Sequence, residues 1–222
     1  MIQKEDLGVA PPGYHQCHYR DRDWLAYSDL LARVVKYSRP GPILDIGAGC
    51  GFFLEAGMQW GLQCVGIDGS EEGIFIAKQR VPSVDIRHHK LSDPLPFPDS
   101  CFQTAVMNQV IEHLEPIVAM RTTQEIFRVL RPGGMVLILS PSKANKKEWL
   151  ADPTHINLIS PTELRSELMA CGFENILSFD SPLNMLGTSW LGRGVMFVIF
   201  KLLKMDALSA TANALAFKPN AN

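Results

Sequence analysis

The chain has 222 residues, 46% of them hydrophobic and 20% charged, with 21 Lys and Arg against 23 Asp and Glu for a net charge of −2. That content supports a full buried core and excludes a disordered or collagen-like chain. The charge balance lacks the basic excess that drives binding to a phosphate backbone, so nucleic acid is disfavoured as a partner. Mean hydropathy is slightly positive, +0.04, yet the apolar run Val195–Phe200 is far short of the roughly 18 residues that suggest a membrane span. The opening residues MIQKEDLGVAPPGY carry no apolar signal core, which makes a cytoplasmic location the expectation. Five cysteines without a CxxC pair fit free thiols in a reducing compartment. His15, Cys17 and His18 lack a fourth ligand at metal-binding spacing, and no metal is expected.

In chain order, residues 1–21 read as an extended lead-in. Apolar residues at Trp24, Leu25, Tyr27, Leu31, Val34 and Val35 then predict an amphipathic helix over 22–38, ended by Pro40-Gly41-Pro42. Ile43 to Gly47 is a short apolar run into glycines, followed by a helical stretch to Trp60 and a second apolar run from Cys64 to Asp68, the pattern of a βαβ unit. A helix over 71–80, a strand over 84–88, a proline-rich turn and a strand over 102–107 follow. Next come a helix over 116–130 and a strand over 135–139. Such short apolar strands separated by helices predict a mostly parallel sheet covered on both faces. Ser160-Pro161-Thr162-Glu163 spells a capping box that opens a helix closed near Gly172. Residues 176–179 and 212–217 complete seven strands. The segment between them is too long for a hairpin loop, and its apolar stretch Trp190 to Leu203 predicts an inserted helix. That helix suits a wall of an acceptor pocket, a dimer face or a membrane-surface contact.

The first strand meets the first sheet-covering helix at Leu44-Asp45-Ile46-Gly47-Ala48-Gly49-Cys50-Gly51-Phe52. Glycines there let the backbone turn sharply against a ligand, at a helix N-terminus with free N–H groups. A dinucleotide fingerprint needs a glycine where Phe52 stands, since a side chain would obstruct close helix–strand packing. Asp68 follows the second strand roughly 20 residues on, the place of a ribose-binding carboxylate. Asp45, just before the glycines, is suited to orient a cationic amino-acid head group.

The run LDIGAGCGFFLEAGMQWGLQCVGIDGSEEGIFIAK resembles the first two motifs of class I S-adenosylmethionine-dependent methyltransferases. LPFPDSCFQTAVMNQVIEHL and VLRPGGMVLILSP resemble that family around its fourth and fifth strands, HINLISPTELRSELMACGF its late helix, and ALAFKPN its last strand. The resemblance implies a Rossmann-like, seven-stranded, mostly parallel sheet with an antiparallel last strand, helices on both faces and a helical insertion between strands six and seven. The implied layout is one domain over 1–222: an N-terminal lid and helix (1–39), a cofactor-binding core (40–180), the insertion (183–210) and the last strand with its tail (211–222).

It further implies S-adenosylmethionine as cofactor and S-adenosylhomocysteine as product. Asp45, Gly47, Gly49 and Gly51 would surround the methionine part, Asp68 bind the ribose and Gly69 lie beside the adenine. Leu91 would offer its backbone to the adenine edge, and Asn108 with Gln109 line the cofactor near the methyl group. Two residues depart from the pattern. Lys90 stands where many relatives have an acid, which shifts adenine recognition toward Ser92 or Asp93, and Gln103 replaces an aspartate in a structural role.

Methyl transfer from a sulfonium is an in-line displacement, so the enzyme chiefly positions the acceptor. A hydroxyl acceptor also needs a base titrating near neutrality. His155, in DPTHINL beyond strand five, and His113, in IEHL after strand four, are the candidates, whereas His88 and His89 read as structural. Tyr14, Tyr19 and Trp24 are candidate lid residues or packing for the first helix. The leading expectation is O-methylation of a small-molecule acceptor. RNA methylation is a rival, although the chain lacks a D/N-P-P-Y motif after strand four, where Asn108-Gln109-Val110-Ile111 stands, and has no Pro-Cys dipeptide. A cofactor binder without catalysis and a nicotinamide-dependent oxidoreductase are the others.

Overall fold

The computed structural model describes residues 13–14, 23–183, 190–203 and 206–221, with the backbone path alone for 190–196. The first half of the sheet comprises β1 (Ile43–Ile46), β2 (Cys64–Asp68), β3 (Ile86–His88) and β4 (Phe102–Asn108). The second comprises β5 (Leu130–Pro141), β6 (Glu174–Ser178) and β7 (Thr211–Phe217). Helices α1 (Ser28–Tyr37), α2 (Phe52–Gln59), α3 (Glu71–Arg80) and α4 (Pro116–Val129) precede or separate the first five strands; α5 (Lys146–Ala151), α6 (Pro161–Ala170) and α7 (Trp190–Leu203) follow β5.

The strands form one sheet in the order β3-β2-β1-β4-β5-β7-β6. Pairing is parallel from β3 to β5, and β7 runs antiparallel to both β5 and β6. The strand order reverses between β1 and β4, and ligands of open α/β sheets bind at that point beyond the strands' carboxyl ends. Alternation of side chains divides the core between the two faces. On β5, Val136 and Ile138 join Leu44, Ile46 and Met107 on one side, while Met135 and Leu137 join Ile43, Val106, Phe53 and Leu54 on the other.

The capping box forms as expected: the Ser160 hydroxyl accepts from the Glu163 N–H and the Glu163 carboxylate from the Ser160 N–H. Two expectations need correction. The helix expected over 22–38 is a 3-10 turn, Trp24–Tyr27, followed by α1, because the Asp23 carboxylate accepts the N–H groups of Leu25 and Ala26 and tightens the entry. The third strand starts at Ile86 because Val84 donates its N–H to Val81 in a turn, although its side chain is buried. Lys146 and Lys147 open the short helix α5, and Lys143 pairs with Glu163.

Helix α7 covers the apolar stretch Trp190–Leu203 and lies between β6 and β7. It leaves Phe197, Val198, Leu202 and Leu203 more than half exposed. Among the described residues no helix is long and apolar enough to cross a membrane.

Candidate functional site

The carboxyl end of β1 runs into a turn in which Gly47, Gly49 and Gly51 all have positive φ. Gly47 has no substitute: φ is +71° and a Cβ would lie 2.3 Å from Cγ2 of Val110. The N–H groups of Gly47 and Ala48 both donate to the Ile67 carbonyl, tying the turn to β2. At the end of β2, Asp68 accepts the N–H of Gly49 on one carboxylate oxygen and that of Ser70 on the other, each at 2.7 Å. These bonds hold the glycine turn and the candidate ribose acid as one unit.

Phe52, which separates this turn from a dinucleotide fingerprint, is buried between the Tyr27 ring, stacked at 6.0 Å, and the Arg80 guanidinium, 3.7 Å from its centroid. Arg80 also donates to the Cys50 carbonyl and pairs with Glu55. The aromatic ring therefore anchors the turn where a dinucleotide site would bring helix and strand into close contact.

Asp45 is 4% exposed. Burial, reinforced by the negative charge of Asp68, pushes its carboxyl from 3.8 up to about 8. Between those values the native protein holds a proton that the unfolded chain releases. Asp45 thus makes stability fall as pH rises through that window, with its contribution lost above about 8. Asp45→Asn is expected to remove this share of the slope, as urea unfolding at about pH 5 and about pH 9 would register. A slope identical to wild type would place the proton elsewhere.

Beyond β4, Asn108 is half-buried and Gln109 is exposed with a φ of +57°, a conformation uncommon outside glycine. Strain of this kind concentrates at functional positions. A 3-10 turn, Ile111–His113, follows. The loop after α5 is clamped onto it: the N–H groups of Ile156 and Asn157 both donate to the Glu112 carbonyl at 2.9 Å, and the Asn157 side chain donates to the Ile111 carbonyl. This brings His113 and His155 together with ring centroids 4.8 Å apart.

Asp152 organises the pair. Its Oδ1 accepts from the Thr154 hydroxyl at 2.6 Å and the Thr154 N–H at 2.9 Å, its Oδ2 accepts from the Tyr14 hydroxyl at 2.9 Å, and His155 Nε2 lies 3.8 Å from Oδ2. Because the Thr154 hydroxyl gives its proton to Asp152, it accepts from His113 Nδ1 at 2.9 Å, which assigns the neutral ring's proton to Nδ1. Glu112 sits beside the histidines, fully buried, with only the Ser140 hydroxyl near its carboxylate and no well-formed hydrogen bond on either oxygen among the described residues. Burial pushes its carboxyl from 4.5 up to about 8.

Gly69, Leu91, Ser92 and Asp93 fall at the sheet's carboxyl edge. Gly69 follows β2, its carbonyl 3.1 Å from His88 Nε2. Leu91 follows β3, its carbonyl held by the Thr122 hydroxyl at 3.4 Å, and Ser92 and Asp93 line a cleft against Arg121 and Thr122. Gln103 is buried and donates to the Gly133 carbonyl, a structural role. Trp24 packs against the core and is no lid, whereas Tyr14 lies edge-on to His113 at 6.3 Å. Tyr19 and the His15, Cys17, His18 group lie outside the described residues. Glu112, Asp152 and Thr154 were not anticipated as site residues.

A parallel sheet closed by an antiparallel β7, with an acid before its glycine turn and another at the end of β2, is the architecture of class I S-adenosylmethionine-dependent methyltransferases. The chain belongs to the methyltransferase domain family, whose model matches residues 18–178. It is 33% identical over 167 residues to a "probable S-adenosylmethionine-dependent methyltransferase" of Mycolicibacterium smegmatis, covering 73% of this chain and 62% of that protein. Over 149 residues it is 27% identical to the ubiquinone biosynthesis O-methyltransferase of Sinorhizobium medicae, covering 60% of this chain and 59% of the relative. The chain thus matches under two thirds of either relative's length. Its fold is similar to the crystal structure of a SAM-dependent methyltransferase from Archaeoglobus fulgidus, with a TM-score of 0.73 and 20% identity over 91% of this chain and 97% of that one.

Proposed function

We propose that the protein transfers the methyl group of S-adenosylmethionine to an oxygen of a small-molecule acceptor, with His155 or His113 removing the acceptor's proton. The observation that carries this reading is the half-buried histidine pair beyond the end of β4, held beside Asp152 and Thr154 next to the switch point of the sheet. The O-methyltransferase among the relatives is in keeping with it. When bound, the cofactor supplies a methyl group already activated as a sulfonium.

The residues present suit that cofactor chemically. Asp45 is a buried carboxyl whose ionised form a cationic amino group would stabilise. Gly47, Gly49 and Gly51 let the backbone approach the methionine part, and Asp68 offers lone pairs to the ribose hydroxyls. Gly69 and Leu91 border the adenine, with Asn108 and Gln109 near the methyl group. Tyr14, hydrogen-bonded to Asp152 and edge-on to His113, shields the acceptor end from water.

Calorimetry tests the donor side. Binding of S-adenosylmethionine or S-adenosylhomocysteine is expected, and Asp68→Ala should weaken it by about 1.5–3 kcal/mol, the scale of lost hydrogen bonds to a charged group. Binding of NAD with no response to either compound would overturn the reading. A methyl-transfer screen over phenols, isoprenoid quinone precursors, glycan precursors and amines tests the acceptor. Methylation of amines alone would remove the oxygen assignment.

A further inference from the structure

Glu112, His113 and His155 each offer a ligand atom, and the three atoms lie within 4.8 Å of one another. We propose that these residues form a binding site for one divalent transition-metal ion, with zinc as the best-matched occupant, at the acceptor end of the site.

Two independent features point to a cation. The first is a set of buried lone pairs short of protons to accept. His155 Nδ1 is buried with no hydrogen-bond partner among the described residues, and the two buried Glu112 carboxylate oxygens have only the Ser140 hydroxyl near them. Leaving such atoms unmatched is costly, and a cation satisfies all of them together. The second is the supporting layer behind them. Metal-ligating histidines usually donate their other ring N–H to a carboxylate, carbonyl or hydroxyl, which turns the lone pair toward the ion. Here Thr154, whose hydroxyl gives its proton to Asp152, takes the Nδ1 proton of His113, which assigns that ring's lone pair to Nε2, and the Asp152 carboxylate lies 3.8 Å from His155 Nε2, on the far side of the ring from its unpartnered Nδ1.

The donor set selects among ions. Two imidazoles and one carboxylate are ligands that zinc enzymes use at open sites, whereas magnesium and calcium favour oxygen donors alone. Glu112 in the inner shell and Asp152 behind it together balance a double positive charge. A tetrahedral zinc shell has ligand–ligand edges of roughly 3.4 Å. The present spread contracts to that by small side-chain rotations, on a scaffold held by the two bonds from Ile156 and Asn157 to the Glu112 carbonyl. A fourth position is left open, where an acceptor oxygen would coordinate. With the ion bound, both imidazoles serve as ligands, and the acidity of a hydroxyl acceptor comes from the ion rather than from a histidine base.

The test uses the full chain after chelator treatment, titrated with Co2+ as a spectroscopic probe and with Zn2+ by calorimetry. The expected result is one equivalent of either ion and tetrahedral cobalt bands in the visible without a thiolate charge-transfer band. Affinity is expected to fall at least about 100-fold in Glu112→Gln and in His155→Asn, and about 10- to 100-fold in Asp152→Asn, the loss typical of a supporting residue. Far-ultraviolet circular dichroism and S-adenosylhomocysteine binding identify folded variants. If either inner-shell variant fails to fold, the other and Asp152→Asn carry the comparison. Three outcomes each overturn the proposal: no uptake by the wild type, uptake equally tight in the folded variants, or a thiolate band that places the ion on a cysteine. Cofactor binding is read separately, so its absence would count against the proposed methyl transfer without deciding the metal site.

Discussion

Replacing Gly47 by alanine is expected to cost about 2–5 kcal/mol of stability and to abolish cofactor binding. A left-handed conformation costs an L-residue roughly 1–2 kcal/mol. Overpacking adds about 1–3 kcal/mol, because the new Cβ would sit 2.3 Å from Cγ2 of Val110. These two costs are separable. Val110→Ala in the same chain removes the clash and should restore most of the overpacking share, leaving the backbone strain. A double-mutant cycle by urea unfolding measures that coupling, and calorimetry reads the cofactor side. Gly47→Ala within about 0.5 kcal/mol of wild type would refute the close approach of the glycine turn to the residues after β4.

The second large effect concerns the acceptor end. On the proposed function, His155→Asn and His113→Asn should each lower turnover by about 10²–10⁴-fold while the affinity for S-adenosylmethionine stays within a factor of about two. The double variant should cost little more than the more damaging single one, since residues that act as a unit are not additive. The same result is expected whether the histidines take the proton or hold an ion, and the cobalt titration separates those roles. A rise in KM with turnover unchanged would reduce the pair to acceptor binding and remove it from proton transfer.

Much of the fold was legible along the chain because its signals are local. The glycine turn, the two strand-end acids and the capping box of α6 each involve residues close in sequence, where backbone sterics and unsatisfied helix-end donors dictate the residue type. Helix α7 follows the apolar stretch residue for residue, with Gly192 and Gly194 tolerated inside it. The element α5 was missed because six residues with two lysines carry too short a pattern to reveal a helix that loop packing supports.

The acceptor end was harder to read. His113 and His155 could be singled out as candidates by residue type, yet neither Glu112 nor Asp152 stood out, since a carboxylate near a histidine in sequence is commonplace. Local chemistry thus sufficed for the architecture and for naming candidate donor-side residues, whose relative placement follows from one βαβ unit. The tautomer of His113, the burial of Glu112 with only the Ser140 hydroxyl near it, and the position of Tyr14 edge-on to His113 arise from long-range contacts. Tyr14 and Asp152 lie 138 positions apart, and His113 and Thr154 lie 41 apart. Such meetings depend on which strand ends the sheet places side by side, and that order is set by the packing of both faces of the core rather than by any one segment.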